Sequence, residues 1–404
     1  MSSTAGLIIA RALGPVGRGE YAATVSWFWV LLIVGEVGLT ASACYYVAAD
    51  ERRASDYVAT ARSLILAFGG PTMILALALA PELAQHKGDL TFAYLAMFAT
   101  ALPSFLGAAF TFGLQAASIN DWNVVRLSQP LAFLTSVGAM YAADDLTFRH
   151  VVLAWAACIC FQSGLGYLYA RRRGLAHGRV SPELRRPLLR YGGGQLATTI
   201  PLTINMQVDQ IVLSLAASLG DLGQYAVAVS LTGLALPAVT AIGNVAFPKV
   251  ARHSSSSRGE LERRATIGAY LLAASIIIPV ALTSIWAVPW LFGQSYRPAV
   301  QMVWILAPGA ICFAVNAVIS DVLRGHNHVA SIARAQIAGA VVTILLLALL
   351  VPALAARGAA IASTASYALV NVMLVRELRR VLSSAEIRGS VAPGRREEDG
   401  RADS

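Results

Sequence analysis

Apolar stretches of about twenty residues follow one another along almost the whole chain, separated by short polar breaks. A window of that length predicts spans near Tyr21 to Ala49, Tyr57 to Ala80, Leu90 to Ser118, Val124 to Ala143 and His150 to Ala170. Six more are predicted near Tyr191 to Leu219, Leu222 to Val250, Ala265 to Phe292, Ala299 to Leu323, Val329 to Val351 and Gly358 to Arg376. All are expected to be helical, because lipid leaves backbone groups no partner outside the helix itself. The chain opens with a shorter apolar piece, Leu7 to Ala10 before Arg11, roughly 18 Å long against the 30 Å of a hydrocarbon core. It has no basic stretch before it and no cleavage pattern after it, so it reads as the second half of a first helix and not as a signal peptide. The prediction is an all-α polytopic membrane protein of about 12 transmembrane helices, with the first truncated and the natural start expected further upstream.

Composition agrees. The 404 residues are 57% hydrophobic and only 13% charged. The net charge of +9 is a matter of topology and not of nucleic-acid binding, because the basic residues are segregated. Of 31 lysines and arginines, all but Arg11, Arg18, Lys87, Arg149, Arg297 and Arg357 fall in alternate breaks, at adjoining helix ends or in the C-terminal tail. By the positive-inside rule those breaks are cytoplasmic and both termini are inside. Cys44, Cys158, Cys160 and Cys312 all lie in apolar stretches and imply no disulfide framework. The six histidines show no metal-ligand spacing, and neither a metal nor a cofactor is indicated.

The longest break divides the chain. Expected units are an N-terminal six-helix bundle (1–170), a basic cytoplasmic linker (171–190), a C-terminal six-helix bundle (191–380) and a disordered tail (381–404). A repeat supports the division: Gly19-Glu20-Tyr21-Ala22 and Gly223-Gln224-Tyr225-Ala226 open spans six apart, at an offset of 204 residues. An even number of spans between copies means equal orientation in the membrane.

Catalytic signatures are missing: there is no Gly-x-Ser-x-Gly elbow and no phosphate-binding Gly-x-x-x-x-Gly-Lys loop, and the outer loops are too short for a catalytic domain. Intramembrane polar residues therefore carry the functional expectation. Glu36 lies between Gly35 and Val37-Gly38, and Asp209 shares a helix face with Asn205 at i, i+4. Pro201 and Gly192-Gly193-Gly194 would let that helix bend. The rival reading of both acids is a group that simply reaches water; the arginines Arg11, Arg190 and Arg334 sit at helix ends, where an interfacial anchor is the simpler role, and Gln195 and Asn316 could equally join helices.

These residues resemble the polysaccharide transporters of the multidrug/oligosaccharidyl-lipid/polysaccharide exporter superfamily, which include O-antigen flippases. The likeness rests on Arg11-Ala12-Leu13-Gly14-Pro15 with Gly17-Arg18-Gly19-Glu20-Tyr21, on Gly35-Glu36-Val37-Gly38-Leu39, and on Asp209-Gln210 ahead of Gly223-Gln224-Tyr225. It continues in Phe247-Pro248-Lys249, Leu323-Arg324-Gly325 and Gly358-Ala359-Ala360-Ile361-Ala362. The resemblance implies two six-helix bundles around a central cavity, working by alternating access. It also implies a flippase for an undecaprenyl-diphosphate-linked oligosaccharide in lipopolysaccharide or related polysaccharide assembly, in contact with other assembly proteins. A pyrophosphate leaving water needs cationic partners, for which Arg11, Arg190 and Arg334 are candidates, with Gln195, Asn205 and Asn316 as polar contacts. Glu36 and Asp209 are candidates for binding a coupling H+ or Na+. A drug/cation antiporter of the same superfamily remains a rival, as does a membrane glycosyltransferase or polysaccharide polymerase.

Overall fold

A computed structural model describes residues 2–241, 255–326 and 328–390, whose regular structure is entirely helical. Phe247-Pro248-Lys249 and the tail from 391 lie outside the described residues.

The helical stretch Ser2–Glu36 is broken at Gly14, whose backbone (φ 68, ψ −175) suits glycine, and Pro15 then opens a new helix. The short first helix is α1 (2–13). Its successor α2 (15–49) breaks again at Val37 and Gly38, both at positive φ, and resumes over Leu39–Ala49 at an angle of 50°. There follow α3 (Ala54–Leu83), α4 (Gly88–Ala117), α5 (Ile119–Ala142), α6 (Phe148–Arg172), α7 (Pro182–Ala216), α8 (Leu219–Ala241), α9 (Ser255–Phe292) and α10 (Ala299–Gly325). The final stretch, Val329–Ser390, turns at Ala355 (φ 47, ψ −127), just after Pro352, into α11 (329–354) and α12 (356–390). Among the described residues there are thus twelve helices in the order expected from hydropathy, and α12 runs past 380 to Ser390.

Outward faces are apolar, as lipid requires: Leu349, Ile74 and Trp290 are largely exposed. The two helices too polar or charged to pass as average spans are α5 and α7; Gln129 of the first and Gln207 and Gln210 of the second line an interior cavity, and Asp209 of the second is buried. Helices α1–α6 form one bundle, with Tyr94, Phe98, Phe105 and Leu114 buried in its core. Helices α7–α12 form the second, centred on Ile277, Val315, Ile319, Val370 and Leu374.

Close backbone contacts join the bundles toward both ends of α2. Near its start, Gly19 meets the backbone of Leu219 and Gly223 so closely that a Cβ on Gly19 or on Gly223 would collide with a carbonyl of the other helix. The glycines of the sequence repeat therefore touch each other across the bundle boundary. Near its far end, Gly38 lies against the Gly192 backbone, and Ser42 Oγ donates to the Leu188 carbonyl at 2.8 Å. The basic linker is also fixed to the first bundle: the Arg179 N–H donates to Asp56 (2.7 Å) and the Ser181 N–H to Thr60 (3.0 Å). Helix α7 begins on the first bundle, passes Gly192–Gly194, and enters the second, where Asn205 bonds to Gln336.

Candidate functional site

Helix α2 turns one continuous face inward. Arg18, Tyr21, Ala22, Val25, Ser26 and Trp29, at i, i+3, i+4, i+7, i+8 and i+11, line a cavity of about 430 Å³ between the bundles. Opposite them stand Gln129, Pro130 and Phe133 of α5, Trp155 of α6, Gln207 and Gln210 of α7, and Val229, Ser230 and Gly233 of α8. The Gly19–Gly223 contact lies immediately beside Arg18, at the end where α2 and α8 both begin.

Arg18 is the one cation among the described residues lining this cavity, and no carboxylate lines it. It is 8% exposed, its Nη2 donates to Ser230 Oγ at 3.4 Å, and its buried Nε has no hydrogen-bond partner. Its guanidinium stands 5.6 Å from the Tyr21 ring centroid, which offsets part of the loss of water. A buried guanidinium with an unused donor is prepared to receive an anionic oxygen. Beside it, Tyr21, Phe133 and Trp155 form a mutually packed wall, with centroids 5.3 to 6.2 Å apart. Ser26 Oγ donates to Gln210 Oε1 at 3.3 Å, and Trp27 Nε1 to Ser214 Oγ at 3.2 Å, so polar bonds join α2 to α7 alongside the cavity.

A second polar cluster lies inside the C-terminal bundle. Asp209, 2% exposed, accepts bonds at Oδ2 from the Tyr225 hydroxyl (2.5 Å) and Ser363 Oγ (3.2 Å), and at Oδ1 from the Gln210 N–H (2.7 Å). One turn earlier, Asn205 Nδ2 donates to Gln336 Oε1 (3.0 Å), while its Oδ1 accepts from Thr343 (3.2 Å). The Tyr367 hydroxyl donates to the Asn205 carbonyl at 2.9 Å. Asn316 donates to the Tyr367 carbonyl (3.1 Å) and accepts from Asn371 (2.9 Å). Asn205 and Asn316 thus belong to one buried network on α7, α10, α11 and α12, joined through Tyr367, and Asp209, one turn further along α7, holds its own partners on α8 and α12.

The other expected residues are dispersed. Arg11 is exposed and donates to the carbonyls of Trp290 and Leu291 (3.1 and 3.2 Å), at the C-terminal end of α9, where a cation also suits the helix dipole. Arg190 is exposed, and Arg334 is exposed with Nη2 donating to Ser331 Oγ at 3.0 Å. None of these three arginines lines the cavity. Gln195 is half-buried and donates to the Tyr191 hydroxyl at 3.5 Å. Glu36 sits at the break in α2, accepting from Thr40 Oγ1 at 3.2 Å, and shares no partner with Asp209 among the described residues. Arg18, Trp29, Gln129, Gln207 and Gln210 are cavity residues that sequence reasoning did not single out. The signal for Arg18 was its place on the same helical face as Tyr21, Ser26 and Trp29.

A family model described as "Polysaccharide biosynthesis protein" matches residues 6–254. No curated protein matches the chain in sequence. Among solved structures, an inward-facing multidrug resistance MATE family transporter of the MOP superfamily aligns with a TM-score of 0.79 at 14% identity, covering 96% of this chain and 94% of that one. Lipid II flippase MurJ, in its inward closed conformation, aligns at 0.76 and 11% identity, with 96% and 89% covered. An outward-facing MATE family transporter aligns at 0.60 and 13% identity, with 95% and 97% covered. At these identities the likeness is one of fold.

Proposed function

Because the chain belongs to the polysaccharide biosynthesis protein family, whose model spans more than half of it, we propose that it is a flippase for a lipid-linked oligosaccharide. The substrate class we assign is an undecaprenyl-diphosphate-linked sugar, carried by alternating access with its polyprenyl tail left in lipid. The observation that carries this reading is Arg18, buried at the cavity wall with an unpartnered Nε. A phosphoryl oxygen satisfies that donor, and the Tyr21, Phe133 and Trp155 rings with Gln129, Gln207 and Gln210 offer stacking faces and amides for sugars. The fold shared with a lipid II flippase supports the same reading.

In this proposal the Gly19–Gly223 contact seals the extracytoplasmic end. The better alignment with an inward-facing relative than with an outward-facing one supports that assignment. Asp209, held by Tyr225 and Ser363 between α7, α8 and α12, is the group we assign to a coupling H+ or Na+. Glu36, at the α2 break, is a second candidate for that ion. Both termini are assigned to the cytoplasm of a bacterial inner membrane from the distribution of arginine, so reporter fusions after Arg172 and Leu382 should both read as cytoplasmic.

The test is flipping of a fluorescent lipid-linked sugar in proteoliposomes, with native chain against Arg18→Gln at equal protein levels. The proposal requires the variant to lose transport while remaining folded. The MATE-like fold keeps a drug/cation antiporter as the alternative, and that reading expects cationic drugs to bind, against the charge of a cavity whose lining holds an arginine and no carboxylate. Drug-stimulated cation exchange by the same liposomes, without sugar flipping, would decide for it. Elongation of sugar chains by the solubilised protein would point instead to a glycosyltransferase or polymerase.

A further inference from the structure

On another side of the N-terminal bundle, α3, α4 and α6 enclose a separate groove of about 340 Å³. Its walls are apolar, from Pro103, Leu106 and Phe110 on α4 to Tyr167 on α6. Two glycines shape it. At Gly107 an added Cβ would lie 2.9 Å from the Ser163 side chain, so α4 and α6 cross tightly there. At Gly164 an added Cβ would meet nothing within 4 Å, which leaves the opening beside the crossing. Arg62 stands in the groove, half-buried, with its guanidinium 5.0 Å from the Phe110 ring centroid. It lies about 12 Å along α3 from Ala54, and among the described residues no carboxylate is paired with it. The nearby end of α6 carries Arg171 and Arg172.

We infer that this groove is a binding site for an anionic glycerophospholipid, with its phosphate on Arg62 and one acyl chain along Leu106 and the Gly164 opening. An arginine two turns in from the end of a membrane helix, with no carboxylate beside it, stands at headgroup depth, where a lipid phosphate is the anion that the surrounding bilayer supplies. Charge selects the lipid class. A zwitterionic headgroup brings its own cation to the phosphate, whereas an anionic one leaves that role to Arg62. The groove is distinct from the transport cavity because α6 uses different residues for each, Trp155 toward the cavity and Ser163, Gly164 and Tyr167 toward the groove.

The experiment is native mass spectrometry of the purified full chain in detergent, titrated with phosphatidylglycerol or phosphatidylcholine of equal chain length. The tightest-bound lipid should be phosphatidylglycerol, preferred about fivefold, as expected for one arginine at a membrane surface. Arg62→Gln should abolish the preference. Gly164→Leu, which fills the opening and keeps the charge, should reduce retention of both lipids. Equal retention of the two lipids by the native chain, or an unchanged preference in Arg62→Gln, would overturn the site. Unchanged retention in Gly164→Leu would do the same, as would tighter retention of a polyprenyl phosphate than of phosphatidylglycerol.

Discussion

Tyr21 and Tyr225 occupy the same position of the repeat, three residues after the Arg18 and Leu222 pair, yet their surroundings have opposite chemistry. In the N-terminal bundle, Tyr21 packs among Phe133 and Trp155 under the Arg18 guanidinium, and no hydrogen bond holds its hydroxyl among the described residues. In the C-terminal bundle, Tyr225 is fully buried and donates to Asp209. One bundle presents an aromatic, cationic wall to the cavity; the other hides a carboxylate in a web of hydroxyls and amides. The same position of the sequence repeat thus meets an arginine and aromatic rings in one half and a carboxylate in the other. The difference also separates the two charges physically, so that each can be altered without disturbing the other's partners.

The largest expected effect tests the cationic side. Arg18→Gln should lower flipping by roughly ten- to a hundredfold, the worth of a charged hydrogen bond of about 1.5–3 kcal/mol. Flipping rates in proteoliposomes at matched protein levels measure it, and a native rate would remove Arg18 from the mechanism. Next comes the acidic side. Asp209→Asn keeps shape and most bonds but loses the titratable charge, so transport should fall several-fold and cease to respond to an imposed ion gradient. A gradient response equal to that of the native chain would leave Asp209 a structural residue, and the double variant with Glu36→Gln would then show whether the second acid carries the coupling. If both acids act on one bound cation, their losses should be non-additive.

A third prediction concerns the boundary between the halves. Gly19→Ala should cost roughly 1–3 kcal/mol through overpacking, whereas Gly193→Ala, whose added carbon meets nothing within 4 Å, should be neutral or stabilising in the resting state. Thermal unfolding in detergent compares the two, and equal melting points would contradict the close contact. The smallest effect tests the repeat tyrosines directly. Tyr225→Phe should destabilise by about 1–2 kcal/mol, because it removes a donor from a buried carboxylate, while Tyr21→Phe should stay within about 0.5 kcal/mol. Equal losses would mean that the two environments are less different than their partners suggest.

Much of this architecture could be read in the chain, because lipid forces helices and hydropathy marks them. The helices of the described residues and the shared face of Asn205 and Asp209 follow from local periodicity. What periodicity lacks is direction. Arg18 counted among the sparse outer charges because positive-inside reasoning assigns residues to a side of the membrane and not to a face of a helix. Arg11 looked like a cavity cation, but its partners, the carbonyls of Trp290 and Leu291, lie some 280 residues away, and no local pattern reports such a cap. The glycines of Gly35-Glu36-Val37-Gly38 allow a bend or a close helix approach there, but that the break fits against Gly192 only the folded chain shows.

The Gly19–Gly223 contact has a genetic consequence. Most packing defects can be suppressed by a second change, in which a neighbour shrinks to accommodate the newcomer. Here the atoms in the way are main chain: the Leu219 carbonyl and the Gly223 amide beside Gly19, and the Pro15 carbonyl and the Gly19 amide beside Gly223. A revertant search starting from Gly19→Ala should therefore recover true reversions, or suppressors that move α8 as a whole, and no compensating exchange at position 223.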